Sequence, residues 1–332
     1  LGSGLVKRSM TRDLSWGIPV PLDDPEAKDK VLYVWFDAPI GYISNTEELL
    51  QSKGEGSYEE WWKSEDTEIL HFIGEDNTIF HCVIWIAMLS AEGTYQLPSG
   101  VVVNQFLNIQ FPDKDEEKIS KSRGTAVWIG DYLKEGGDPD VLRYYLTAVS
   151  PERARTVYKP DDLIQRNNTD LANTLGNFVN RVLSFTQKYY GPEVPAYDAG
   201  GLDDVDRKFI ASREETVSGV TAKLNEHEYR AALELLMEFA RECNRYIDEK
   251  APWKTRKDDE TSTKKSLALC IGGIYTLGVC LQPFMPQTAA KILKMLSIDS
   301  VAVPWSDALQ TPAAGSPLGE TVILFEKVDS AS

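Results

Sequence analysis

The stretch "GVVVNQFLNIQFPDKDEEKISKSRG", residues 100–124, carries the reading of the fold. It starts as a β-branched apolar run, passes through polar "NIQ" and an acidic approach, and ends with three cations, two serines and a glycine in seven residues. A buried strand that feeds such a loop is what an α/β sheet places at its carboxyl edge, where ligands bind. Upstream, "VLYVWF" (31–36), "EILHFI" (68–73) and "GVVVNQFL" (100–107) read as short buried strands. They alternate with the helical patterns "EELLQS" and "FHCVIWIAML", which predicts a parallel α/β sheet. The segments to inspect follow the strands: "DAPIGY" (37–42), "GEDN" (74–77) and "NIQ" (108–110).

Beyond about Pro151 the strand signal stops and helical periods take over. Leu171, Leu175, Phe178, Val182 and Phe185 form one stripe, and Ala232, Leu235, Phe239, Cys243 and Tyr246 another. "YGPEVPAYDAGG" (190–201) reads as a connection, "KTRKDDETSTKK" (254–265) as a charged exposed loop, and "TVILFEKV" (321–328) as a strand or an extended segment returning to another surface. The expected division is residues 1–150 for the α/β part, 151–300 for a helical bundle and 301–332 for a tail.

The 332 residues carry a formal charge of −16, which excludes binding nucleic acid through a broad basic face and requires any such contact to be local. Cys82, Cys243, Cys270 and Cys280 have no C-x-x-C spacing, so neither a disulfide framework nor a metal site is expected, and the thiols fit a reducing cytoplasm. The N-terminus has no signal-peptide pattern. The uncharged run at 266–290 contains several glycines and two prolines and reads as a buried bundle helix rather than a membrane span.

Lys118, Lys121 and Arg123, with Ser120, Ser122 and Gly124, suit a loop that follows charge as it moves along a polyphosphate, although the G-x-x-x-x-G-K-[ST] pattern is absent. A solvated basic turn is the plainer reading of that cluster alone. Trp35, Asp37 and Tyr42 around Pro39 and Gly41 suit a small apolar ligand with a polar head, against core packing for Trp35. Gly74, Asp76 and His81 border the same edge. Asn173, Asn177 and Arg181 are spaced by four and share one helix face, and Trp253 follows a helix-ending Pro252. Such side chains could read and stack on unpaired bases, or could form an ordinary hydrophilic face and a core edge.

Together these segments resemble the methionyl-tRNA synthetase family of class I aminoacyl-tRNA synthetases. "KISKSRG" is similar to its KMSKS signature, "YVWFDAPIGYIS" and "HFIGEDN..FH" to its core segments, and "CNRYIDEKAPW" to its helical domain; the match runs from "TRDLSWG" to about Leu296. The resemblance implies the second half of a Rossmann-type nucleotide-binding domain followed by an all-α anticodon-binding bundle. It implies ATP-dependent activation of methionine, with Mg2+ accompanying ATP as substrate and no metal held by this chain, then transfer to tRNA(Met). Trp35, Ala38, Pro39, Tyr42, Asn77 and His81 would line the methionine pocket. Arg12, Asp76, Lys118, Ser120, Lys121 and Ser122 would hold ATP, with Lys118 and Lys121 catalytic, and Asn177, Arg181 and Trp253 would read the anticodon.

The chain also departs from the family pattern. Glu75 stands where the family usually has Lys, Ile86 where it has Pro, and Asn104 where many members carry His, while "FPDKDEEK" lengthens the approach to the signature. No HIGH-type segment is found in these residues, so the expectation is a C-terminal portion, inactive alone, that partners a HIGH-containing segment. The competing expectation is a stand-alone tRNA-binding module without catalysis. No membrane partner is expected, and the expected location is the cytoplasm.

Overall fold

A computed structural model describes residues 9–298 and 303–329. The chain divides into two compact units, Leu1–Val103 and Asn104–Ser332.

In the first unit β1 (Thr11–Arg12) pairs antiparallel with β2 (Val31–Leu32). The expected strand over 31–36 is therefore only two residues long. From Tyr33 the backbone turns helical into α1 (Val34–Asp37), with the Phe36 N–H donating to the Tyr33 carbonyl and the Ala38 N–H to that of Val34. With only a two-residue strand to bond to, the rest of the run satisfies its amides locally. Pro39 bridges directly into α2 (Ile40–Lys53), which stops at Gly54 in the left-handed region, φ 67°. Ser57 caps α3 (Tyr58–Trp62) by accepting from the Glu59 N–H.

β3 (Leu70–Gly74) is followed by a π-helical stretch, Phe80–Trp85, which runs into α4 (Ile86–Glu92) and then β4 (Gly100–Asn104), the hydrogen-bonded neighbour of β3. Ile43, Trp62, Trp85 and Leu89 form the buried core of this unit. The Trp62 indole N–H donates to Thr46 Oγ1 at 2.9 Å, which fixes α3 against α2.

The second unit opens with β5 (Leu107–Ile109), which pairs antiparallel with β6 (Glu117–Lys118). The lengthened "FPDKDEEK" segment is the reversal of this hairpin, with Asp113 at φ 58° and the Lys114 N–H donating to the Phe111 carbonyl. α5 (Ile129–Lys134) and α6 (Pro139–Ala148) follow, the latter capped by Asp138. β7 (Thr156–Tyr158) then pairs parallel with β5. It lies in the part of the sequence read as purely helical, because three residues are too short to register as a period-two pattern. The described strands thus form sheets of two, two and three strands rather than one continuous sheet.

α7 (Pro160–Arg166) runs through a π-helical stretch, Asn167–Gly176, into α8 (Asn177–Tyr190). The bundle continues with α9 (Asp204–Asn225), α10 (Tyr229–Lys250), α11 (Pro252–Thr255), α12 (Glu260–Cys280) and α13 (Pro286–Met295). Leu171, Leu175, Phe178 and Val182 are fully buried, as their spacing predicts. Leu235 is not: it is exposed, and the buried stripe of α10 runs through Ala232, Leu233, Leu236, Phe239, Cys243 and Tyr246. Leu236 fits the helical spacing from Ala232 as well as Leu235 does, and packing selects Leu236.

The expected charged loop at 254–265 is shorter than read. Asp259 accepts from the Ser262 N–H and starts α12, which buries Thr263 and Lys265. From Ser266 to Cys280 α12 is buried on every face, packed among α8, α9, α10 and α13. No described helix is long and apolar enough to cross a membrane. Residues 321–328 form no described strand. They run as a segment in which Leu324 and Phe325 are buried, the Asn167 amide donates to the Glu326 carbonyl, and Asn168 exchanges two bonds with Val328.

Candidate functional sites

In the first unit the π-helical stretch turns His81 inward until it is buried, four residues after Asn77. Its Nδ1 lies 3.2 Å from the Asn77 carbonyl, which can only accept, so Nδ1 carries the proton and Nε2 accepts from the Tyr42 hydroxyl at 2.9 Å. Stretches of π-helix are often found at functional sites, and here one supplies the register that joins α2 to β3 chemistry. Trp35 is 43% exposed and Tyr42 40%, so neither belongs to the core; Trp35 lies 6.1 Å, centroid to centroid, from the buried Phe80. Pro39 is buried and Ala38 exposed beside them.

Sequence reasoning missed His71. It is buried in β3, its ring 5.2 Å from both Tyr42 and His81, so the three rings form one cluster. Burial, and then the neighbouring His81, push its pKa down and keep it neutral. The signal was a histidine inside the apolar run "EILHFI", since a buried polar residue is the informative exception in a strand. His71 Nε2 and Asp37 Oδ1 are buried with no hydrogen-bond partner among the described residues. Each such group costs about 1–3 kcal/mol unless paired, so both are poised to meet a polar ligand.

Of the residues expected near a nucleotide, Asp76 sits exposed in the turn after β3, its Oδ1 3.5 Å from the Asn77 amide, and Glu75 precedes it. A Cβ at Gly74 would come within 2.9 Å of Asp76 Oδ1, so a larger residue there would have to turn that carboxylate aside. Arg12 is turned to its own strand: its guanidinium donates to the Ser9 and Thr11 carbonyls and lies 3.8 Å from the Tyr33 ring centre.

In the second unit the basic loop is closed at its base by the buried Thr125. Its hydroxyl donates to the Lys118 carbonyl and accepts from the Ser120 N–H, and Gly124 turns the chain with φ 68°. Lys118 Nζ lies 4.5 Å from the Phe106 ring and Lys121 Nζ 5.3 Å from Trp128, while Arg123 donates to the Lys118 carbonyl. Ser120 and Ser122 share a hydroxyl contact of 3.2 Å. Lys118, Lys121 and Arg123 have no carboxylate partner among the described residues, so their charge is available to an anion.

On the helical bundle the structure brings Arg181 of α8 and Trp253 of α11 together, the guanidinium 4.4 Å from the indole centre. Asp248 of α10, which the sequence reading passed over, forms an ion pair with Arg181. Asn173 and Asn177 stand exposed on the same face. A planar cation stacked on an indole at the edge of a helical face is a surface on which unpaired bases can stack and be read.

The family description "tRNA synthetases class I (M)" matches residues 1–183, more than half of the chain. The chain belongs to the class I methionyl-tRNA synthetase family. The family's "Anticodon binding domain of methionyl tRNA ligase" matches residues 194–332. Methionine–tRNA ligase of Parabacteroides distasonis is 42% identical over the whole chain, and that of Porphyromonas gingivalis 43%. The chain spans 47% of the length of each of these synthetases. A crystal structure of Mycobacterium tuberculosis methionyl-tRNA synthetase bound by methionyl-adenylate superposes with a TM-score of 0.79 at 27% identity, over 98% of this chain and 61% of that one. The fold is accordingly the second half of a Rossmann-type domain joined to the synthetase family's helical anticodon-binding domain, as the sequence led us to expect.

Proposed function

We propose that this chain is the C-terminal portion of a methionine–tRNA ligase, contributing to ATP-dependent formation of methionyl-adenylate and to recognition of tRNA(Met). The carrying observation is the meeting of Arg181 with Trp253, a planar cation on an indole at the bundle surface, which is the kind of platform on which unpaired bases stack. In this reading Trp35, Ala38, Pro39, Tyr42, Asn77 and His81 line the methionine pocket. The aromatic faces take the side chain, and the Tyr42 hydroxyl can turn from His81 toward the thioether, a weak acceptor. Tyr42→Phe is then expected to raise the methionine KM about tenfold, the loss of one hydrogen bond, with ATP KM unchanged; an equal rise for ATP would contradict the assignment.

Arg12, Asp76, Lys118, Ser120, Lys121 and Ser122 hold ATP, which brings Mg2+ with it. Lys118 and Lys121 act on the phosphates by charge alone, with no covalent intermediate on the protein. The reading divides labour between residues 1–150 for activation, 151–300 for the anticodon and the tail at 301–332. The phosphate-stabilising histidines of a HIGH-type segment are not among these 332 residues, so activation is proposed for a protein that also carries that segment, in the cytoplasm, and not for the chain by itself.

Asn177, Arg181 and Trp253 read the anticodon. Trp253→Ala is expected to weaken tRNA(Met) binding about tenfold to a hundredfold, the worth of one stacked base, while leaving methionine activation within about twofold in a protein competent for it. Comparable losses in both assays would make Trp253 structural. Normal tRNA binding with no pyrophosphate exchange, even after a HIGH-containing segment is supplied, would instead favour a binding module without catalysis.

A further inference from the structure

α10 carries a second feature on the face that ends at Asp248. Arg230, Glu234, Met237, Arg241 and Asp248 recur at helical spacing along it. This face packs against the π-helical stretch before α8, with Arg241 3.9 Å from Asp170 and the Asn244 amide donating to the Thr174 carbonyl. Arg181 meets Asp248 farther along the same seam. At the other end of the seam α6, α7 and α10 enclose a hollow of about 220 Å³ whose lining includes Tyr144, Arg166, Asp170, Arg230 and Arg241.

Three arginines in one hollow stand out on a chain of charge −16. Carboxylates share the site: Asp170 accepts from the Tyr144 hydroxyl at 2.8 Å and faces Arg241, and Arg241 also pairs with Glu238 at 2.9 Å, an exposed partner that a phosphate would have to displace. Burial, together with that carboxylate, raises the Tyr144 pKa far above the ordinary value, so the hydroxyl remains a neutral donor. Arg166 commits its Nε to Asp162. The Arg230 guanidinium has no partner among the described residues, and Glu234, one turn later, is an unpaired carboxylate on the rim. The volume is ample for one phosphate group, and the helical rise from Arg230 to Asp248 is about 27 Å, several nucleotides of backbone.

We propose that this hollow is a backbone-phosphate subsite for the RNA whose anticodon lies on Arg181 and Trp253, with Arg230 and Arg241 contacting phosphates of the anticodon arm as it tracks α10. The proposal rests on the tRNA reading above and adds to it an arginine, Arg230, whose charge no carboxylate neutralises among the described residues. Phosphate contacts position without reading sequence, so the subsite and the anticodon face separate experimentally.

The test is binding of the 332-residue chain to a tRNA(Met) transcript, and to the same transcript with its anticodon changed, between about 50 and about 200 mM salt. Arg230→Gln and Arg241→Gln are each expected to weaken both RNAs by the same factor and to lower the salt slope by about 0.7–0.9, so that the loss is about threefold larger at the low-salt end. Arg230→Lys restores the slope, and Glu234→Gln tightens both RNAs. Trp253→Ala abolishes discrimination between the two RNAs and leaves the slope unchanged. Because the Arg230 guanidinium makes no hydrogen bond or ion pair among the described residues, its result stands even if Arg241→Gln lowers stability. An unchanged slope in Arg230→Gln, with anticodon discrimination intact, overturns the subsite alone. If the unsubstituted chain binds neither RNA, or binds both equally, the tRNA reading falls and the subsite with it.

Discussion

Lys121→Ala, in a protein competent for methionine activation, is expected to slow adenylate formation about 10²–10³-fold, the cost of removing one preorganised group from a developing charge, while methionine KM stays within about threefold. The loop explains the size of the effect. Thr125 and Gly124 clamp its base, so Lys121 is presented from a fixed turn on a flexible stem. Its ammonium rests near the Trp128 ring, and among the described residues no carboxylate has to be displaced before it can reach a phosphate. Charge on the leaving pyrophosphate grows in the transition state, so the interaction strengthens there more than in the ground state. Pre-steady-state pyrophosphate release measures the step. A rise in ATP KM with an unchanged rate constant would show that Lys121 only binds nucleotide, and Lys121→Arg separates charge from reach, since a planar guanidinium replaces a compact ammonium.

Asp206→Ala is expected to destabilise the helical unit by about 3–5 kcal/mol, because it strands buried cations without their counter-ion. Asp206 is fully buried at the start of α9. It accepts from the Tyr246 hydroxyl at 2.8 Å and pairs with Lys250 at 2.8 Å and Lys265 at 3.0 Å. It also closes a capping box with Asp203. Burial alone would raise its pKa, but the bonds from Lys250, Lys265, the Asp203 box and Tyr246 outweigh it and hold the carboxyl at about 2. The folded value is therefore below the ordinary 3.8, so the contribution is fully present above about pH 3.8 and is lost as pH falls through about 2.

Thermal unfolding should place the Asp206→Ala midpoint about 10 °C lower. The gap to the unsubstituted chain should narrow below pH 3.8. A pH-independent gap would mean that Asp206 acts through packing rather than charge. The cluster also anchors the end of α10, which carries Asp248 and leads through Ala251 into α11 with Trp253, so tRNA binding should weaken in the same variant.

Much of the site chemistry was legible locally. "KISKSRG" announces itself because its charge pattern is contiguous, and His81 stands out at a strand-to-helix junction, whereas Asn77 entered only through the resemblance. Reading "VLYVWF" as a full strand failed for a different reason. Apolar composition reports burial, whereas strand formation needs a partner of matching length, and β1 offers only two residues. Leu235 misled in the same way: one hydrophobic period fits two stripes on α10, and only the neighbours α9 and α12 choose between them. The exposed reading of 254–265 missed that Asp259 could cap a helix, a single side chain whose role depends on where the next helix can dock.

By itself the sequence determined the order of the segments, the α/β-to-helical succession and the chemistry available at each turn, because these depend on neighbours a few residues apart. The tertiary structure alone decided that Arg181 would rest on Trp253 with Asp248 paired to it, that His71 would join Tyr42 and His81, and that Asp206 would gather two lysines and a tyrosine. Those meetings join residues distant in the chain. What sets them is the close packing of helices and strands that bury their apolar faces, and that packing brings polar groups together at separations no local pattern encodes.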